Sequence, residues 1–267
     1  MLTVFLRILK DRRMVTLVYC LASVLLLWMY IALFPSFKEQ SAAMEQMIKN
    51  YPESFLKAFN FDIKSFTTLE GFLSTEQFSF MWPLLAILSM VGFAGSALAG
   101  EVEKGTIEVL LSEPLSRLKL YLSRYLAGLL ILIFFVVISI FSAIPLARLY
   151  DISFSTDGFM ALALLCFIFG WAILSLAMFF SSVFSDKGKV FFLSGGLLVV
   201  MYVLNIVSAL KENLADLKYF SFFYYFNPTN ALYHHQIDHW AYLVFLGVAL
   251  VLMIFGAIWF IRRDIAT

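Results

Sequence analysis

Long apolar runs separated by polar stretches dominate this chain. Residues 14–34, 78–99, 118–144, 158–183, 190–210 and 240–261 form six such runs. Each is long enough, as a helix, to cross a hydrocarbon core of about 30 Å, which takes roughly 20 residues. The first run carries no charge at all, and the third carries Lys119 and Arg124 only near its start, where a long basic side chain can reach back to the interface. The pattern predicts an all-α, polytopic integral membrane protein with six transmembrane helices, organised as one transmembrane domain over residues 1–267.

The polar stretches sort the rest of the chain. Residues 1–13 place Val4, Phe5, Ile8 and Leu9 on one helical face and Arg7, Lys10, Arg12 and Arg13 elsewhere. That is the pattern of a helix lying in the membrane interface. Residues 35–77 and 211–239 are the two long polar segments, the second rich in aromatics. In residues 78–99 and just beyond, Gly92, Ser96 and Gly100 recur at four-residue spacing and make a flat strip where another helix can approach closely. Composition agrees with the class: 62% of residues are hydrophobic and 14% charged, against about 45–50% and 25% in soluble domains. A net charge of +1 gives no reason to expect nucleic acid. Cys20 and Cys166 both fall in apolar runs and read as core filler.

The basic residues orient the chain. With the N-terminus inside, the inner side holds Arg7, Lys10, Arg12, Arg13, Lys104, Arg117, Lys119, Arg124, Lys187, Lys189, Arg262 and Arg263. The outer side holds Lys38, Lys49, Lys57, Lys64, Arg148, Lys211 and Lys218, spread over much longer segments. This asymmetry places both termini in the cytoplasm.

Residues 100–124 are the most polar run between two spans. Gly105 suits a left-handed helix stop, and Thr106 begins a short amphipathic stretch with Ile107, Leu110 and Leu111 on its apolar side. Ser112, Glu113 and Pro114 then read as an N-cap, an acid near a positive helix end, and a first-turn proline. The run Glu101-x-Glu103-x-Gly105-Thr106-Ile107-Glu108-x-Leu110-Leu111-Ser112-x-Pro114-x-Ser116-Arg117 resembles the segment after the second membrane helix of ABC-2-type transporter permeases. The turn at Asn227-Pro228-Thr229-Asn230 also resembles one that this family carries before its last span.

The resemblance implies six spans, a second permease chain in a homo- or heterodimer, and surrounding membrane lipid in a prokaryotic plasma membrane. It also implies a separate ABC ATPase subunit that binds ATP and docks on the cytoplasmic segment 100–117. In that setting Glu101, Glu103, Glu108 and Arg117 pair with charged groups of the ATPase. Gly105 and Thr106 form the turn, and Ser112 with Pro114 sets where the next helix begins.

The chemistry that is missing points the same way. No Gly-x-x-x-x-Gly-Lys-Ser/Thr occurs, so no cofactor is expected on this chain and the chain itself is not expected to be an enzyme. The six runs hold no acid well inside, which argues against ion-driven transport. Asn205 is the nearest thing to a mid-membrane polar group, a helix–helix hydrogen bond or a pathway residue. Two other readings stand beside the permease. His234, His235 and His239 would make a metalloenzyme if a helix set His235 and His239 on one face. Zincin chemistry, however, needs Glu where Gln236 stands, and no metal site is expected. A non-transporting sensor or scaffold is the third reading.

Overall fold

The computed structural model describes residues 2–39, 68–107 and 116–264, and these fold into helices and turns with no strand among them. Among the described residues, six helices are long and apolar enough to cross a membrane. Span one is Leu2–Glu39. Span two begins with Leu69–Leu73, passes through a π-helical stretch at Ser74–Met81, and continues as Trp82–Ala97. Span three is Arg117–Phe141, extended past a break at Ser142 by Ala143–Leu149. Spans four, five and six are Asp157–Val183, Lys187–Leu210 and His239–Arg262.

The interior follows from burial rather than from hydropathy alone. Span four is the most buried of the six and span five the least. Span six packs chiefly on span four, and span one on span three. Along span one the covered positions are Val4, Ile8, Thr16, Cys20, Ser23, Leu27, Ile31 and Phe34, a stripe at three- and four-residue steps but for one step of eight from Ile8 to Thr16. A 38-residue helix is about 57 Å long at about 1.5 Å per residue, well over the hydrocarbon thickness. No break separates the stretch that reads as interfacial from the span. Its apolar face is the start of the stripe that packs on the protein.

Three boundaries differ from the sequence reading. Span two starts at Leu69 rather than at residue 78, so residues 69–77 belong to the bundle and not to an outer segment. Glu70, at 8% exposure, is therefore a buried acid; its carboxylate accepts the Ser155 N–H, which offsets part of the desolvation. Pro145 does not end span three, because the chain pauses at Ser142 and runs on for another two turns. The segment 211–239 does not stay outside: after a 3-10 helix at Glu212–Phe220, the short helices Phe222–Tyr225 and Pro228–Leu232 fold back into the bundle. Phe222, Phe226, Ala231 and Leu232 are buried there.

That inward fold reaches the middle of the bundle, where Trp82, Phe135 and Phe169 lie near the midpoints of spans two, three and four. Trp82 stacks between Phe135 and Phe226 at centroid distances of 5.6 and 6.2 Å, and its indole N–H donates to Ser139 Oγ at 2.7 Å. Phe226 lies 4.3 Å from Phe169, which also meets Phe245 edge-on. Such pairs add about 0.5–1.5 kcal/mol each beyond burial. Gly158, at the start of span four, lies against the backbone of Leu232: a Cβ there would sit 1.9 Å from the Leu232 carbonyl oxygen. Only glycine lets the two segments meet. Asn227 Oδ1 accepts the Asn230 N–H at 3.0 Å, so the Asn-Pro turn noted in the sequence caps the short helix that makes this contact.

Candidate functional site

One end of the bundle gathers the charged residues of segment 100–124 with the ends of every span. Span two stops at Ala97 because the backbone turns out of helical geometry at Leu98 (φ −127°, ψ −60°). Ser181 of span four bridges the break, accepting the Ala99 N–H at 3.0 Å and donating to the Ala94 carbonyl at 2.6 Å. One short turn, Ala99–Glu103, follows, and Gly105 then takes φ +70°, the left-handed geometry expected of it. Lys104, Gly105 and Thr106 are exposed, while Ile107 is buried at 2%. Glu108, Ser112 and Pro114 lie outside the described residues. Span three begins at Arg117 with Ser116 as its N-cap, the serine oxygen accepting the Lys119 N–H at 3.3 Å.

Four of the described charged residues of this segment, Glu101, Glu103, Arg117 and Arg124, bond to other parts of the chain. Glu101 bonds within the bundle: one carboxylate oxygen is 3.4 Å from Arg124 Nη2 of span three, and the other accepts the Thr106 hydroxyl. Arg124 is 8% exposed and Glu101 26%. The charges of Arg7, Asp11 and Arg12 on span one also reach Arg124. Glu103 accepts the Lys187 N–H at 3.0 Å, so together with Asp186 it caps the N-terminus of span five. Arg117 donates to the carbonyls of Ile261 and Arg263, at the end of span six.

Sequence reasoning noted Arg263 only as a terminal positive charge. Its guanidinium donates through Nη1 to the Ser182 and Phe184 carbonyls, both at 3.0 Å, and through Nη2 to Ser185 Oγ, at the end of span four. Partial burial lowers its pKa, but a guanidinium remains a cation at neutral pH. A basic residue one position past a helix is a C-cap signal for its own helix. Nothing in the sequence said that this one would cap its neighbour's.

The remaining sequence candidates are placed as follows. Gly100 is buried, its nearest neighbour being the Gly95 carbonyl of its own segment. Gly92 is half-buried with nothing within 4 Å of its Cβ position, and Ser96 bonds back to the Gly92 carbonyl at 3.0 Å. Within this chain the tight helix approaches fall instead at Gly128, against Phe93 and Leu174, and at Gly170, against Leu132. An apolar groove of about 550 Å³ lies between spans two and five, lined by Pro83, Ile87, Val91, Phe192, Gly196 and Tyr202. Asn205 follows Tyr202 by three residues on the same span and is half-buried. His235 does not share a helical face with His239. It sits before span six with φ +57°, whereas His239 opens the helix after the Asp238 cap. Among the described residues no group of three His, Cys, Asp or Glu could hold a metal.

Six apolar helices, buried along one face and tied together at their polar ends, define a multi-pass membrane protein of all-helical architecture. The sequence extends that description. A family model described as ABC-2 family transporter protein matches residues 3–265, and the chain belongs to that family. A search of curated proteins finds no match.

Proposed function

We propose that this chain is the permease subunit of an exporter, driven by ATP hydrolysis on a separate ABC ATPase subunit that docks at segment 100–117 on the cytoplasmic side. One observation carries the reading. The segment that resembles the family's docking element bonds to the ends of three different spans, through Arg124, Lys187 and the Ile261–Arg263 carbonyls. Force applied at an exposed turn built on Lys104, Gly105 and Thr106 would therefore reach spans three, five and six directly.

The pathway in this reading forms with a second permease chain. Span five is the least covered span, and Gly92, Gly195 and Gly196 have open space at their Cβ positions. These features support a face at spans two and five that meets either the partner chain or the transported molecule, with Asn205 beside it. ATP belongs to the partner subunit, and the membrane is the prokaryotic plasma membrane with both termini inside.

Two measurements test the reading. Reversing Glu103→Lys and Glu108→Lys together should reduce co-purification of the partner ATPase, because a desolvated interfacial pair is worth about 2–5 kcal/mol. Glu39→Lys with Glu45→Lys should leave it intact, and equal behaviour of the two double variants would sink the docking assignment. Glu103→Gln separates docking from capping, since it keeps an acceptor for the Lys187 N–H without the charge. For orientation, cysteine introduced by Lys218→Cys should react with an impermeant thiol reagent in intact cells. Thr106→Cys should react only after permeabilisation, and labelling in intact cells would reverse the topology.

A further inference from the structure

We propose that Arg263 is a positioning residue that binds spans four and six into one lever moved from the start of span three; the proposal rests on the coupling reading above. Arg263 is held on both sides. Its backbone carbonyl accepts from Arg117, the first residue of span three, and its side chain donates to Ser182, Phe184 and Ser185 at the end of span four. The last carbonyls of a helix have no donors of their own. Here the end of span four receives them from a residue whose main chain is itself gripped by the element that follows the docking segment.

The choice of residue matters to this geometry. A guanidinium presents its donors in a rigid plane and can serve two carbonyls and a hydroxyl at once, whereas an ammonium is a point charge on a flexible stem. The lever also moves the right mass. Span four is the most buried helix of the bundle and span six packs on it more extensively than any other element does. Glu103 meanwhile grips span five, the least buried helix. The docking segment thus has two outputs: a short one to span five through Glu103, and a branched one to spans six and four through Arg117 and Arg263. Relative motion of the two outputs is what opens or closes the face between spans two and five.

Spin labels on Val199→Cys of span five and Leu243→Cys of span six, both well exposed at 63% and 62%, report that motion. The distance is measured in the complex with the co-purifying ATPase, in lipid nanodiscs, without nucleotide and after trapping with ATP and vanadate. The wild-type distance should shift on trapping. Arg263→Ala should reduce the shift by about twofold or more while the ATPase still co-purifies, the size expected for a residue along a coupling route. Arg263→Lys keeps the charge and the helix-end attraction, so it tests the fork geometry even if the alanine variant fails to fold, and it too should show the reduced shift. A full wild-type shift in Arg263→Lys and in any folded Arg263→Ala overturns the lever and leaves the docking reading standing. A wild-type complex that retains no ATPase overturns the docking reading, and the lever with it. Retained ATPase with no wild-type shift overturns the lever alone.

Discussion

The middle of the bundle and its charged end are held by different forces. At mid-span, Trp82 stacks on Phe135 and Phe226, and Phe226 packs tilted on Phe169, while at one end of the bundle Gly158 meets the Leu232 backbone with no room for a methyl group. At the other, Glu101, Glu103, Arg117, Arg124 and Arg263 hold helix ends through single charged side chains. Close-packed interiors respond to a change of one methylene, because the neighbours cannot follow. Charged hydrogen bonds to carbonyls tolerate small changes in angle and can be exchanged one at a time. The aromatic middle leaves its side chains no room to adjust, whereas the bonds of the basic end do not depend on close packing.

Substitutions can break that contrast, and the largest effect belongs to the aromatic cluster. Trp82→Ala removes two stacked contacts and a buried hydrogen bond to Ser139. It should cost about 3–5 kcal/mol, as large-to-small changes at buried aromatics do, read as a lower unfolding temperature of the purified protein in detergent. Gly158→Ala should cost about 3 kcal/mol, at the top of the usual overpacking range, because the obstacle is backbone rather than a flexible side chain. A wild-type melting profile for Gly158→Ala would show that the return of residues 221–232 into the bundle is not a fixed contact.

At the basic end the effects should be smaller and of another kind. Arg124→Ala removes the ion-pair partner of Glu101 and leaves it the Thr106 hydroxyl and the more distant charge of Arg12. Breaking a fully buried pair costs about 3–5 kcal/mol, and the 26% exposure of Glu101 brings the expectation down to about 2 kcal/mol. The same melting measurement checks it. Glu103→Gln should lower stability by only about 0.5 kcal/mol, since the exposed carboxylate loses its attraction for a helix N-terminus and the amide oxygen still accepts. If Glu103→Gln destabilised as strongly as Trp82→Ala, the basic end would be as rigid as the aromatic cluster and the contrast would fail.

Hydropathy made the six spans legible, because each crossing has to bury about 20 apolar residues whatever it packs against. The match of residues 3–265 to the ABC-2 family agrees with the resemblance seen in residues 101–117. A local rule placed the left-handed Gly105, since it depends on one residue and its immediate neighbours; the turn at Asn227 was marked only by its resemblance to the family, and the structure shows it as a helix cap. Three features were decided only by the tertiary structure. Glu70 can be buried because Ser155, 85 positions away, supplies an N–H. Residues 221–232 fold inward because Trp82 and Phe169 offer aromatic faces to Phe226. Arg263 caps span four because Arg117 and the packing of span six hold its backbone within reach. A hydropathy pattern records whether a residue prefers water or lipid. It does not record which distant carbonyl a guanidinium will meet, because that depends on how the helices pack and not on the residues next to it in the chain.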